Sequence, residues 1–328
     1  MKILYILNPS SNGGRTKKLE DHLQDRPYPE GTEIAIRHTR APGDGATIAR
    51  EEAGNYDVVC SVGGDGTLNE VARGIYEAGK GVLGIIPSGT GNDTMKGLGW
   101  SQSVDEAIDR LFTGQAEAID CGFADEHFFI NIASIGFDAK VVEGTESIKK
   151  HIKSGAAYSL SLLKTFFSYR SLAYEKRKSG NQVLVPTENG EDRFLQEDSI
   201  EAAEWLGNRS GHRPAGKVED RLFLLAVGNG KFYGGGFQIL PQAEFDDGFL
   251  DICLISNLSR FRFLLLFPSI FRAKHKKHRK YVHMSRGKSY EIFMKEDFIL
   301  NIDGEIHYYS GNRSILFHIS EKVIKLIR

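Results

Sequence analysis

The run Asp57-Val58-Val59-Cys60-Ser61-Val62 is short, apolar and β-branched; it breaks at Gly63-Gly64-Asp65-Gly66-Thr67, after which Leu68, Val71, Ala72 and Ile75 recur at helical spacing. A fully apolar strand that passes through glycines into a helix is the unit from which helix-covered parallel sheets are built. Thr67 and Glu70 fit a reciprocal capping pair, so a helix is expected over 68–78. Glycine backbone at 63, 64 and 66 lets a phosphate come close, and the first amides of the following helix lack internal partners. The turn therefore reads as an anion cradle, although a purely structural glycine turn meets the same pattern. Asp65 would repel a phosphate unless a cation stood between them, which points to a divalent metal.

The surrounding sequence repeats the strand–helix alternation. Strands are predicted at 2–7, 33–38, 57–62 and 82–86, and helices at 16–23, 46–53, 68–78, 93–98 and 104–112, the last with a Ser103/Glu106 capping pair. Such alternation implies an α/β layer whose ligands bind beyond the carboxyl ends of the strands. The loops at those ends, 8–15, 38–40, 63–67 and 87–93, are polar or glycine-rich, so four of them converge on one edge and favour a phosphate-bearing ligand. From residue 118 the pattern changes. Residues 118–122 and 127–132 read as strands around an Asp125-Glu126 turn, and strand-like segments at 222–227, 250–255, 290–294 and 298–302 follow, which predicts an antiparallel β domain. Two helical stretches, 156–174 and 258–273, interrupt it; 179–220 is polar and charged and reads as a surface excursion, strand-like at 182–185 and helix-compatible at 199–206.

Length and composition allow about two domains with real cores in the 328 residues. A net charge of −1 leaves no global field to recruit nucleic acid, so none is expected as a partner. Cys60, Cys121 and Cys253 are isolated within apolar runs, which favours core residues in a reducing compartment over disulfides or a zinc site, and cytoplasm is the expected location. The opening segment 2–7 is too short and too soon interrupted by Asn8-Pro9 for a signal peptide, and the apolar stretch 261–271 falls short of the ~20 residues that span a bilayer.

Taken in order, GGDGT at 63–67 followed by Asn69-Glu70, SGTGND at 88–93, GNGKFYGGG at 228–236, DDGFLD at 246–251 and DGE at 303–305 resemble the diacylglycerol kinase catalytic family, in particular its bacterial lipid-kinase branch, with sphingosine kinases as cousins. GGDGT alone is shared with NAD kinases and phosphofructokinases, but the SGTGND segment differs from the NAD-kinase pattern. The resemblance implies a Rossmann-like α/β nucleotide-binding domain over 1–122, joined by a return strand at about 319–328, and a C-terminal antiparallel β-sandwich lipid domain over 123–318 carrying the 179–220 insertion, with the active cleft between them. It implies an ATP- and magnesium-dependent lipid kinase that transfers the γ-phosphate to diacylglycerol or a related lipid alcohol, giving phosphatidic acid. A sphingoid or other long-chain alcohol, NAD, and a nucleotide-responsive lipid-binding role stay open as alternatives, as does a homodimer.

Carried over residue by residue, the resemblance assigns Asn8, Thr39, Gly63, Gly64, Asp65, Gly66, Thr67, Leu68, Asn69 and Thr90 to ATP. It also assigns Asp65, Asp93 and Asp120 to the catalytic magnesium network, with Arg15 or Lys17 available to the phosphates. Glu305 becomes the general base that takes the proton of the attacking alcohol, where without the family an ordinary Asp-Gly hairpin turn is the favoured reading of the segment. Asp247, with backbone oxygens of Glu244 and Phe249, corresponds to a structural magnesium site. Because a lipid acceptor stays in its bilayer, the resemblance also implies peripheral contact with an anionic membrane surface. Segment 258–273, which runs into Lys274, Lys276, Lys277, Arg279 and Lys280, suits that contact at ~1 kcal/mol per basic residue, and a helix packed on the β domain fits the same residues.

Overall fold

The computed structural model describes residues 1–11, 16–149, 155–176, 181–186, 192–196, 199 and 220–328. The first lobe runs β1 (Lys2–Leu7), α1 (Thr16–Asp25), β2 (Glu33–His38), α2 (Asp44–Glu52), β3 (Val58–Gly63), α3 (Asp65–Ala78), β4 (Val82–Pro87), α4 (Asp93–Gly97), α5 (Val104–Thr113) and β5 (Ala116–Ile119). Strands β1 to β4 are parallel, with Leu4 opposite Val59 and Ser61 opposite Ile85, and their buried residues form apolar clusters on both faces of the sheet. The last strand of the chain, β19 (Ile324–Ile327), lies parallel to β4 and antiparallel to β5, completing the order β2-β1-β3-β4-β19-β5. Ser103 caps α5 by accepting from the Glu106 amide, as its sequence predicts.

The expected Thr67/Glu70 capping box does not form. Helix α3 begins two residues earlier than 67, with Gly64 as its cap, and the Glu70 carboxylate accepts from the amides of Gly43 (2.9 Å) and Gly45 (2.9 Å) at the start of α2. A neighbouring helix start offered Glu70 two donors where its own offered one, and those amides would otherwise be orphaned.

The second lobe comprises β6 (Gly122–Ala124), β7 (His127–Phe129), β8 (Ile132–Gly136), α6 (Phe137–Lys149), α7 (Gly155–Ser168), β9 (Leu172–Lys176), β10 (Gln182–Pro186), β11 (Asp192–Gln196), β12 (Arg221–Gly228), β13 (Leu250–Ser256), α8 (Arg260–Ile270), β14 (Val282–Gly287), β15 (Ser289–Met294), β16 (Phe298–Ile302), β17 (Glu305–Tyr309) and β18 (Arg313–Ile319). It is an antiparallel β-sandwich. Leu225, Ile252, Ile292, Leu300 and Ile315 meet in its interior, and a second cluster around Phe137, Phe223 and Phe263 is roofed by α6, α7 and α8.

Four sequence expectations are corrected here. Residues 118–122 are not one strand: β5 ends at Ile119 and β6 starts at Gly122, so the chain changes sheet between them. The helix expected to reach 174 stops at Ser168, because Ala173 and Tyr174 pair with the edges of β12 and β15, where both are buried. Helix α6 was not foreseen in what read as an all-β stretch. Part of the surface excursion belongs to the sheet: β10 and β11 form a hairpin that extends β14, with Val183 and Val185 buried. The helix-compatible stretch at 199–206 lies, apart from Ser199, outside the described residues. All three cysteines are free and buried.

Candidate active site

Two glycine loops meet where β3 and β4 end. A Cβ on Gly89 would come within 2.4 Å of the Gly64 Cα, so any side chain there would push the loops apart. The Ser88 amide donates to the Gly63 carbonyl (2.8 Å), and Asn92, at φ 50°, ties its own turn by accepting from the Gly89 amide and donating back to the Gly89 carbonyl. Gly66 is different: it is exposed, and among the described residues nothing lies within 4 Å of where its Cβ would sit. Among the described residues no packing calls for glycine at that point, so the open space lies over the first turn of α3, whose amides precede its first helical hydrogen bond, Leu68 N–H to the Gly64 carbonyl.

Asn8, from the loop after β1, donates to the Thr67 hydroxyl (3.1 Å) and holds it at the helix start. Thr39 is anchored by its amide to the Leu7 carbonyl, and with Asn8, Arg40 and Glu70 it lines a cavity of about 270 Å³ beside the turn. Thr90 is exposed at the tip of the β4 loop. Two members of the expected nucleotide set sit elsewhere. The Leu68 side chain is buried in the core with Leu4, Val59 and Val71, as its place on the apolar stripe of α3 requires. Asn69 is buried and donates to the Phe128 carbonyl (3.3 Å) and the Asp303 carboxylate (2.8 Å), both in the other lobe. Arg15 lies outside the described residues, whereas Lys17 is exposed near His38 in a neighbouring cavity.

The predicted acids separate into two groups. Asp65 and Asp93 flank Gly91, with one oxygen of each within 4 Å of where a Gly91 Cβ would sit. Loss of water around the half-buried Asp65 carboxylate, and then the charge of Asp93, push its pKa up to about 6. Asp93 is buried, accepts from the Gly235 amide of the sandwich (2.7 Å) and pairs with Lys96 (3.0 Å). Asp120 is not part of this set. It accepts from the Gly248 amide (2.8 Å) and joins Asp246, Asp247 and Asp251, because the chain turns away from the first sheet directly before it. In that second group Asp247 accepts from the Phe249 amide and faces Arg286 at 3.4 Å, while Glu244 is exposed nearby. Burial and Asp247 raise the pKa of Asp251 to about 8.

Among the described residues no three Asp, Glu, His or Cys side chains converge tightly enough to hold a metal alone. Magnesium does not ask for that, since it keeps waters and takes carbonyl and phosphate oxygens. Both acid groups fit such an ion: each holds a carboxylate whose charged form the protein disfavours by burial and a second acid.

Sequence reasoning passed over Asp303. At φ 48° with Gly304 at φ 100°, it forms a two-residue turn between β16 and β17, and its carboxylate points inward rather than capping the turn. It accepts from the amides of Ile130 (2.9 Å), Asn131 (3.2 Å) and Ile132 (2.7 Å), and from Asn69 of α3. The only sequence signal was the Asp-Gly pair itself. Glu305, two residues on, opens β17 with its side chain 67% exposed and 3.8 Å from His307. His307 in turn lies against His127, with centroids 3.9 Å apart and the rings tilted by 34°.

An α/β lobe with a glycine-bordered helix start, joined to a sandwich that returns an acidic turn to that start, defines a two-lobed protein with a candidate anion site where the lobes meet. Comparison with known proteins narrows it. The profile of the diacylglycerol kinase catalytic domain matches residues 2–124, and that of the YegS C-terminal NAD kinase beta sandwich-like domain matches 131–327. A diacylglycerol kinase of Staphylococcus saprophyticus is 30% identical over 305 residues, covering 92% of this chain and 87% of that protein. A Chromohalobacter salexigens protein named "Probable lipid kinase YegS-like" is 32% identical over 237 residues; the match covers 71% of this chain and 65% of that protein's length. The solved structure of a diacylglycerol kinase from Bacillus anthracis shares the fold at a TM-score of 0.64 and 21% identity, covering 99% of this chain and 96% of that one. The chain belongs to the diacylglycerol kinase-like family of lipid kinases.

Proposed function

We propose that the protein transfers the γ-phosphate of ATP to the hydroxyl of diacylglycerol or a closely related lipid alcohol, giving phosphatidic acid, and that it works in the cytoplasm at the membrane surface where that alcohol resides. The observation that carries this reading is the Asn69–Asp303 bond, which ties the turn before Glu305 to the helix that starts at the glycine cradle. Phosphoryl transfer asks a protein mainly for position and charge. In this reading the open space over Gly66 and the amides of the first turn of α3 receive the phosphates, and Asn8 keeps the Thr67 hydroxyl aimed at them. Asp65 and Asp93 would hold magnesium, which when bound offsets phosphate charge, while Asp247 with neighbouring backbone oxygens would hold a structural ion. Glu305 accepts the alcohol proton as the oxygen attacks, and its exposure lets that proton leave to water.

The acceptor's chains have a place in this scheme. A cavity of about 710 Å³ lies between α6, α7 and the ends of β16 and β17, lined by Gly136, Gly144, Thr165, Ile299 and Tyr308 among others. Phe298 and Tyr309 at that end pair four positions from Ile302 and Glu305, about 13 Å along the strands at the usual rise. An acyl chain bridges such a distance. The test is incubation with labelled ATP and a panel of long-chain diacylglycerol, sphingosine and NAD in mixed micelles. Label in phosphatidic acid is expected; transfer to NAD alone, or to nothing, overturns the proposal.

A further inference from the structure

Of eleven large hydrophobic side chains exposed among the described residues, seven fall on α7 and α8 or one residue beyond α8. On α8 these are Phe261 (81% exposed), Leu264, Leu265 (80%) and the adjacent Phe271, while Phe263, Leu266 and Ile270 point the other way into the core. On α7, Leu160, Leu163 and Phe167 (66%) form a stripe at spacings of three and four, and Leu162 and Phe166 pack inward on the same core that α8 covers. Both helices therefore fill the core with one side and leave a second apolar side to the outside. Scattered exposure is ordinary, but two helices doing this over one core is not.

Charge says what lies against this surface. From 252 to 290 the sequence holds ten Lys or Arg and no Asp or Glu, in a chain whose net charge is −1. Arg272, Lys274, Lys277 and Lys280 stand exposed directly after the apolar side of α8. Aromatic and aliphatic residues bordered by cations match the boundary between lipid tails and anionic headgroups. A second copy of this chain suits it less well, because a symmetric pairing would set the basic run near its own duplicate.

Helix α7 also has an inward role. Its Ser161, Lys164, Thr165 and Ser168 line the large cavity, so the same helix separates that cavity from the exposed stripe. We propose that the outer faces of α7 and α8 form one platform that docks on anionic bilayers, with α7 as the shared wall between bilayer and cavity, so that a lipid acceptor reaches the cavity without crossing water. The second half of this proposal rests on the lipid-kinase reading; docking itself does not.

The test is sedimentation of the full chain, without ATP, with phosphatidylcholine vesicles that contain or lack phosphatidylglycerol. Phe261→Ser with Leu265→Ser, and separately Leu163→Ser with Phe167→Ser, are each expected to lower partition on the anionic vesicles by about tenfold or more. Replacement of Lys274, Lys277 and Lys280 by Gln should erase the preference for phosphatidylglycerol and little else. Transfer to a short-chain diacylglycerol dissolved in water should be unchanged in all three variants, which checks that they fold. The proposal is overturned if wild-type protein ignores phosphatidylglycerol vesicles, if both apolar pairs bind as wild type does, or if the pairs act by splitting a dimer in sedimentation velocity. Absence of transfer to the short-chain acceptor with vesicle binding intact overturns the kinase reading and leaves docking standing.

Discussion

Asp303 offers the sharpest test of how the lobes are joined. Its carboxylate accepts three backbone amides, from Ile130, Asn131 and Ile132, and the Asn69 side chain. Replacing it with alanine strands those amides in a partly buried site. An unsatisfied donor costs about 1–3 kcal/mol, and discounting for the water that a part-buried position admits, the loss should be about 3–5 kcal/mol. Asn69→Ala leaves the carboxylate its three amides and also gives up the longer contact to the Phe128 carbonyl, so it should cost about 1–2 kcal/mol, less than Asp303→Ala. Activity should respond in a different proportion. Asn69 is the side-chain link between the cradle helix and the turn before Glu305, and a displacement of ~1 Å at a reacting group can cost about a hundredfold in rate. Urea midpoints and kcat measured on both variants separate the two effects. The reasoning fails if Asp303→Ala unfolds within about 1 kcal/mol of wild type, or if Asn69→Ala loses activity only in proportion to its stability.

Three further outcomes follow from the geometry. Glu305→Gln should lower kcat by ~10²–10⁴ with ATP binding by titration calorimetry unchanged, and activity near wild type would remove Glu305 as the base. Gly66→Ala, with nothing within 4 Å of the new methyl, should fold as wild type and raise the KM for ATP about tenfold or more, whereas Gly89→Ala, 2.4 Å from the Gly64 backbone, should lose about 1–3 kcal/mol of stability; equal effects at both would refute the cradle. His275 is buried, donates through Nε2 to the Ile239 carbonyl, and burial lowers its pKa from 6.5 to about 4. The unfolded chain binds that proton below about 6.5 and the folded one does not, so stability present above 6.5 should be lost as pH falls towards 4, by about 3 kcal/mol in total, and urea midpoints of His275→Gln should fall less steeply over that window.

The parallel sheet was legible because buried strands and amphipathic helices write different periods, as at 57–62 against Leu68, Val71 and Ile75. The sandwich was legible strand by strand but not at its seams. Leu172–Lys176 looks as helical as the residues before it, and only the open edges of β12 and β15 decide its state. Polar side chains were read least well for the same reason. Local pattern set Glu70 to cap its own helix and the family resemblance set Asn69 beside a nucleotide; in the structure Glu70 accepts from Gly43 and Gly45 and Asn69 donates to Asp303, each at the far end of another segment. Asp120 follows suit, since a carboxylate one residue past a strand end can face either lobe and the amide of Gly248 decides.

Glycines and acids together argue for a ligand more firmly than either does alone. Gly64 and Gly89 are accounted for by contact with each other, so they carry no message about phosphate. Gly66 has no such account, and it opens beside Asp65, whose charged form is disfavoured by lost water and by Asp93. A fold seeking only stability would fill the first position and neutralise the second, because alanine is the better helix residue and an apolar side chain avoids the strain of two adjacent acids. Both departures occur within two residues at the start of one helix, and a polyanion carried with its cation would relieve both at once: phosphates would take the room, and a metal would take the charge.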